Sequence, residues 1–203
     1  MGGVRGLSRT EEDRPVNYAS MDVGELAALF RDGDNEAGNE IVRRFRDSLF
    51  AFCVRVTGNA EEAADAVQET FLKLLSIRKK IDASRSLPAF LHRIAYNICM
   101  DGMRKRRHSF NVMDFSWAEK SFPPADEDVM AIERTHSLEE VWDAVDKLPL
   151  SARTLVELRY RSGLTPDEIA EVLGIPSSTV RVRLFRARKL LASMLRSHRE
   201  GGK

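Results

Sequence analysis

Apolar residues recur every three or four positions along almost all of this chain, and no stretch alternates apolar with polar as a strand would. Leu26, Leu29 and Phe30 begin the pattern. Ile41, Val42, Phe45, Leu49, Phe52, Cys53 and Val56 continue it until Gly58-Asn59 breaks the helix. Ala63, Ala64, Val67, Phe71, Leu74 and Leu75 mark the apolar face of the next helix. After a polar connection over 77–87, Pro88 suits the first turn of another, where its missing N–H is not needed. Phe90, Leu91, Ile94, Ala95 and Ile98 form the buried face there. These periods predict an all-α fold whose first domain is a small helical bundle over residues 21–108.

Residues 109–136 carry no steady period and contain Pro123-Pro124 and an acidic run. A structureless stretch of this length does not belong inside one compact domain, so it reads as a flexible linker. Helical spacing returns with Leu138, Val141, Trp142, Val145 and Leu148, and a second domain is expected over 137–197. Pro149 ends its first helix, and Ser151 is a plausible N-cap for the second. Residues 1–20 lack periodicity and read as a disordered leader, and 198–203 as a tail. The expected architecture is two small helical domains joined by an acidic flexible linker.

A net charge of +1, from 32 basic and 31 acidic residues, conceals segregation. Between residues 111 and 150 ten acidic side chains face only three basic ones. Flanking this stretch are two basic clusters: Arg93, Arg104, Lys105, Arg106 and Arg107, then Arg181, Arg183, Arg186, Arg188 and Lys189. Two cationic surfaces joined by an anionic tether suit a polyanionic partner. No apolar run approaches the roughly 18–20 residues that span a bilayer, and the start has no signal-peptide core. Two cysteines, Cys53 and Cys99, make neither a disulfide framework nor a metal site. A cytoplasmic protein without metal, cofactor or membrane insertion is expected.

Three constellations carry chemistry. In the first, Thr165-Pro166-Asp167-Glu168 is a capping box opening a short helix, Gly174 makes a turn, and Pro176 leads into a long last helix. This spacing is that of a helix-turn-helix, with Ala170 small enough for close helix crossing. Arg181, Arg183 and Arg186 face away from the inward Val180 and Leu184, and guanidinium groups on such a helix can take guanine O6 and N7 in the major groove. In the second, Asp65-Ala-Val-Gln68-Glu69-Thr-Phe71 leaves Asp65, Gln68, Glu69 and Leu72 on or near the exposed side, a face suited to a positively charged partner helix. The third runs from Phe90 to Arg107. Arg93, Asn97, Asp101 and Arg104 recur there at helical spacing; Asn and Asp can read base edges, and the basic end can hold phosphates.

In this order the three segments resemble the extracytoplasmic-function (ECF) sigma factors, the minimal group of the bacterial primary-sigma family. DAVQETF at Asp65–Phe71 is similar to the core-polymerase-binding motif of region 2. FLHRIAYNICMDGMRKRR at Phe90–Arg107 is similar to its promoter −10 segment, and the stretch from Leu148 to Leu191 to region 4, which reads the −35 element. The resemblance implies that Asp65, Gln68, Glu69 and Leu72 dock on the β′ clamp helices of RNA polymerase core, with further contacts to the β subunit. It implies that Asn97 and Asp101 meet −10 bases beside Arg93 and Arg104. The connection before Pro88, with Ser84 and Arg85, would capture an extruded base. It maps −35 contacts to Thr179, Arg181, Val182, Phe185 and Arg186, with Arg183 nearer phosphate. Many relatives carry Ser where this chain has Val182. Promoter DNA and an anti-sigma factor are the further partners implied.

Three alternatives stand beside this one. A regulator that binds operators through the helix-turn-helix alone would leave the Asp65–Phe71 motif and the Asn97 helix without a task. An enzyme would need a constellation that is missing here: His92, His108, His136 and His198 are scattered, with no HExxH, P-loop or GxSxG. A protein-only adaptor would show no salt-sensitive DNA binding.

Overall fold

The computed structural model describes residues 16–106 and 137–200. Residues 1–15, most of the expected leader, and the expected linker with its Phe110, Phe115, Trp117 and Phe122 lie outside the described residues. No strand occurs among the described residues.

The first domain is built from α1 (Val23–Asp32), α2 (Asn35–Thr57), α3 (Ala60–Ser76) and α4 (Leu87–Arg106). Each break between the first three is chemically marked. Asp22 and Glu25 form a capping box on α1, and Gly33 ends that helix with φ 114°. Asp34 then caps α2, accepting amide hydrogens from Glu36 and Ala37. At Gly58, φ is 72°, and Asn59 caps α3 through its side-chain oxygen. Fully buried Leu26, Ile41, Leu49, Phe52 and Leu91 fill the space among the helices.

Residues at the end of the expected leader are not loose. Tyr18–Ser20 form a single 3₁₀ turn. Its carbonyls are bound by Arg44, at 2.7 Å from Tyr18 O and 3.0 Å from Ala19 O, and the Tyr18 hydroxyl donates to Asp34 at 2.7 Å. Arg44 is itself fixed by Glu40, which Arg43 and then Arg44 hold as a carboxylate with a pKa of about 2.

The second domain comprises α5 (Leu138–Asp146), α6 (Leu150–Val156), α7 (Pro166–Leu173) and α8 (Ser177–Glu200). Ser137 and Glu140 make the capping box of α5. Helix α6 starts at Leu150 behind Pro149, so Ser151 is a buried residue of its first turn and not the N-cap. One π-helical turn, Glu157–Arg161, extends α6, with the Ser162 N–H donating to the Glu157 carbonyl at 3.0 Å. Thr165 and Glu168 close the capping box of α7, and Gly174 at φ 67° turns the chain toward α8. Backbone helix continues to Glu200, into the expected tail.

The two domains pack against each other. His92 of α4 is 2% exposed; its Nδ1 donates to the Pro88 carbonyl at 2.8 Å and its Nε2 accepts from the Ser162 hydroxyl at 2.9 Å. Arg55 of α2 reaches Asp146 and lies 3.0 Å from Glu157, with its guanidinium 5.1 Å from the centre of the Trp142 ring. Arg161 stands 4.6 Å from the same ring. A cation, an indole and two carboxylates thus join α2 to the second domain.

Candidate nucleic-acid and polymerase interface

Helix α3 has two unlike faces. Ala63, Ala66, Val67, Thr70 and Leu74 are buried, while Asp65, Gln68, Glu69 and Leu72 are exposed. Leu75, expected inward beside Leu74, is 51% exposed and adds to Leu72, which is 58% exposed. One residue along a helix turns a side chain by about 100°, so Leu74 and Leu75 cannot share one narrow face. Ala64 is outward for the same reason. The result is an acidic face with two leucines left uncovered.

Asn97, Asp101 and Arg104 are exposed along α4, and Arg93 is half-buried. Arg104 pairs with Asp101 at 3.3 Å. A groove of about 470 Å³ separates α3 from α4, and Asp65, Glu69, Asn97, Asp101 and Lys105 all line it. Two residue groups that are separate in the sequence therefore border one depression. At its end Arg106 meets Glu62.

The connection before α4 is ordered by its own side chains. Asp82 accepts from the Ser84 hydroxyl at 2.6 Å and from the Ser84 amide at 3.0 Å, which holds its carboxyl below the usual range. Ser84 is thereby engaged in shaping the loop. Arg85 is engaged as well, donating to Glu171 of α7 at 2.8 Å. Next to them is a cavity of about 190 Å³, with Ile81, Leu87 and Phe90 as apolar wall and Lys80, Asp82 and Arg93 as polar rim. The Arg93 guanidinium lies 5.4 Å from the centre of the Phe90 ring.

On α8, Val180, Leu184 and Ala187 are buried against the second domain. Arg181, Val182 and Phe185 point outward, Val182 at 49% and Phe185 at 38% exposure. Arg181 pairs with Asp167 of α7 at 3.3 Å, and the Lys189 ammonium sits 4.6 Å from the Phe185 ring centre. Thr179 and Arg186 are half-buried. So is Arg183, where desolvation lowers the guanidinium's pKa. Arg183 is thus set back from the outward ridge of Arg181, Val182 and Phe185.

Sequence reasoning missed the groups that join the domains: Arg55, His92, Glu157, Ser162 and Glu171. One signal was present. Arg55 stands between Val54 and Val56 on an otherwise apolar stretch of helix, where an unpaired cation would be costly. Among the described residues, no three His, Cys, Asp or Glu side chains are grouped to hold a metal ion.

A four-helix domain with an acidic exposed face, followed by a helix-turn-helix domain whose last helix is basic, has the arrangement of a two-domain DNA-binding protein. Comparison with known proteins sharpens that class. The Sigma-70 region 2 family matches residues 41–109, and the Sigma-70 region 4 family matches 138–191. The chain is 34% identical to the ECF RNA polymerase sigma factor EcfG of Rhodopseudomonas palustris (strain TIE-1), over 73% of this chain and 79% of that protein. It is 29% identical to the ECF sigma factor SigW of Bacillus subtilis (strain 168), over 81% of this chain and 91% of its relative. The solved structure of CnrH in complex with the cytosolic domain of CnrY is similar as well. Its TM-score is 0.61 at 25% identity, with 86% of this chain and 97% of that one covered. The chain belongs to the ECF RNA polymerase sigma factor family.

Proposed function

We propose that this chain binds bacterial RNA polymerase core, carries it to promoters with −35 and −10 elements, and assists their opening. The observation that supports this best is the presence of both sigma regions, in order, on one chain. Region 2 supplies a face for the polymerase and region 4 a helix for the major groove. A regulator needing only operator binding would use the second domain and leave the first without a task.

In this reading Asp65, Gln68, Glu69 and Leu72 meet the β′ clamp helices, and exposed Leu75 extends the contact. Two uncovered leucines supply apolar area while the carboxylates steer the approach. Asn97, Asp101, Arg93 and Arg104 face −10 DNA. The cavity behind Ser84 and Arg85 takes an extruded base, with Phe90 as an apolar wall beside it. Arg181, Val182, Phe185 and Arg186 enter the major groove at the −35 element; Val182 and Phe185 offer apolar contact suited to a thymine methyl. Thr179 and Arg183 serve phosphates. The linker lies outside the described residues, and its acidic charge suits a path through channels that otherwise hold RNA.

The chain performs no catalysis in this account; nucleotide transfer belongs to the polymerase, and the work is done in the cytoplasm. An anti-sigma factor is proposed as a further partner, supported by the likeness to CnrH, which was solved in complex with the cytosolic domain of CnrY. Binding of fluorescent chain to purified core polymerase tests the docking face. The double change Asp65→Ala and Gln68→Ala is expected to weaken binding about tenfold or more while helix content is kept. Unchanged affinity would remove this face from the interface.

A further inference from the structure

The two cysteines of the chain, Cys53 on α2 and Cys99 on α4, are far apart in the sequence and meet in the core of the first domain. Cys53 is 0% exposed and Cys99 3%. The Cys53 S–H donates to the Cys99 sulfur, so the sulfurs face each other where α2 packs on α4. Burial alone is ordinary, since a free cysteine packs as a small apolar side chain. Two observations set this pair apart. Its sulfurs touch one another, and their surroundings are unequal. Cys99 lines the 470 Å³ groove between α3 and α4, whereas Cys53 does not border it. A solute in the groove meets Cys99 first, and Cys53 only through it.

That asymmetry fits the two roles in the oxidation of a dithiol. The hydrogen bond to Cys99, and then burial, hold the Cys53 thiol well above the ordinary thiol range, so Cys53 is not the group that meets an oxidant. Cys99 has the access. As a thiolate its sulfur attacks one oxygen of hydrogen peroxide, and the O–O bond breaks. Cys99 becomes a sulfenic acid, and the hydroxide released takes up the proton that Cys99 lost, giving water. The Cys53 sulfur then attacks the Cys99 sulfur, and the sulfenic hydroxyl leaves as water with the Cys53 proton. Two thiols and one peroxide thus give one disulfide and two waters.

We propose that Cys53 and Cys99 are a peroxide-oxidised modification site, Cys99 the attacking and Cys53 the resolving thiol, whose disulfide staples α2 to α4. A covalent S–S bond is shorter than any contact between two thiols, so the helices draw together as it forms. Cys99 lies two residues from Asn97 and two from Asp101, and a close-packed interior passes such a shift on. The loop that the bond closes holds all of α3 and the connection around Asp82 and Ser84. Oxidation therefore stabilises the first domain and displaces the face assigned to −10 DNA. Only that displacement's effect on promoters rests on the sigma-factor reading; the thiol chemistry stands apart from it.

The pair is tested on the full reduced chain without polymerase. Hydrogen peroxide is added in native buffer, and intact mass, free thiols and urea unfolding are followed. The expected product is a monomer that has lost two hydrogens and both free thiols and that dithiothreitol restores. Its urea midpoint should rise by about 1 M or more. Cys53→Ser should stop at the Cys99 sulfenic acid, which dimedone traps, and Cys99→Ser should keep its remaining thiol. A disulfide-linked dimer, a dimedone adduct on Cys53, or thiols that survive peroxide sufficient to oxidise the unfolded chain overturns the proposal. So does an oxidation rate that climbs with the unfolded fraction in dilute urea, because the groove is then not the route. The effect on promoters is read by giving oxidised, peroxide-free chain to core polymerase. Initiation should fall about fivefold or more and return with dithiothreitol. Equal initiation by both forms overturns that effect. Failure of the reduced chain to initiate is failure of the sigma-factor assignment, and the mass and thiol results then decide the pair by themselves.

Discussion

Arg55 shows how much one side chain can settle. Its guanidinium is shared among Asp146, Glu157 and the face of Trp142, and Glu157 is 1% exposed. Burial pushes the Glu157 carboxyl up, and Arg55 then Arg161 pull it back. Arg55→Met keeps the stem against the indole and removes the charge. Removing one partner of a buried pair costs about 3 kcal/mol, to be seen as a lower urea midpoint of the unit containing Glu157. A loss below about 0.5 kcal/mol, the range of ordinary surface substitutions, would show that Arg55 is not what compensates Glu157. His92 gives a pH signature. Burial lowers its pKa, although the Pro88 carbonyl acts the other way. The unfolded chain gains its proton below about pH 6.5 while the folded chain resists it. The stabilisation is therefore complete above that pH and is lost as pH falls through it. Glu157, with its raised pKa, has the opposite sign, so the comparison must be with His92→Gln. The difference in urea midpoint between the two chains should shrink from pH 7.5 to pH 5.5; a constant difference would refute the buried neutral imidazole.

At the scale of single elements, helix α3 separates stability from binding. Leu74→Ala removes a residue 2% exposed and should cost about 2–4 kcal/mol in urea unfolding. Leu72→Ala, at a site 58% exposed, should leave stability within about 0.5 kcal/mol and weaken core-polymerase binding instead. If both variants lose stability equally, the outward assignment of Leu72 fails. Helix α7 offers a simpler check: Thr165→Ala removes the hydroxyl that accepts the Glu168 amide at 3.3 Å and should cost about 1 kcal/mol. Most of these elements were legible beforehand because their signals are local. Capping boxes, Gly58, Gly174 and the 3.6-residue period are written within one or two turns of chain. Errors arose where neighbours in space decided the outcome. Leu75 is outward because α3 packs on one side only. Arg183 is set back by the packing of the second domain around α8, and Tyr18–Ser20 are ordered by Arg44, which lies more than twenty residues away.

On the scale of the whole molecule, two domains with separable tasks are held together by side chains distant in sequence. Arg85 and Glu171 are 86 residues apart, and Arg55 and Asp146 are 91 apart. No periodicity encodes such pairs, so the division into two domains could be read from the sequence while their closure could not. The outward faces of α3, α4 and α8 were legible for a different reason: the exposed face of a helix follows once its buried face is known. The groove that brings Asp65 and Glu69 beside Asn97 and Asp101 was not legible, because it depends on how α3 and α4 pack. Closed packing and sigma activity are compatible if polymerase binding supplies the free energy that separates the domains.

The central claim is that this chain directs RNA polymerase to promoters. Its most direct test is transcription in vitro by purified bacterial core polymerase on a library of genomic fragments, with and without the protein, followed by mapping of transcript 5′ ends. The account predicts discrete new start sites sharing two short upstream elements at fixed spacing, with Arg186→Ala reducing initiation but not core binding. DNA binding by the protein alone, with no new start sites from core polymerase, would contradict it.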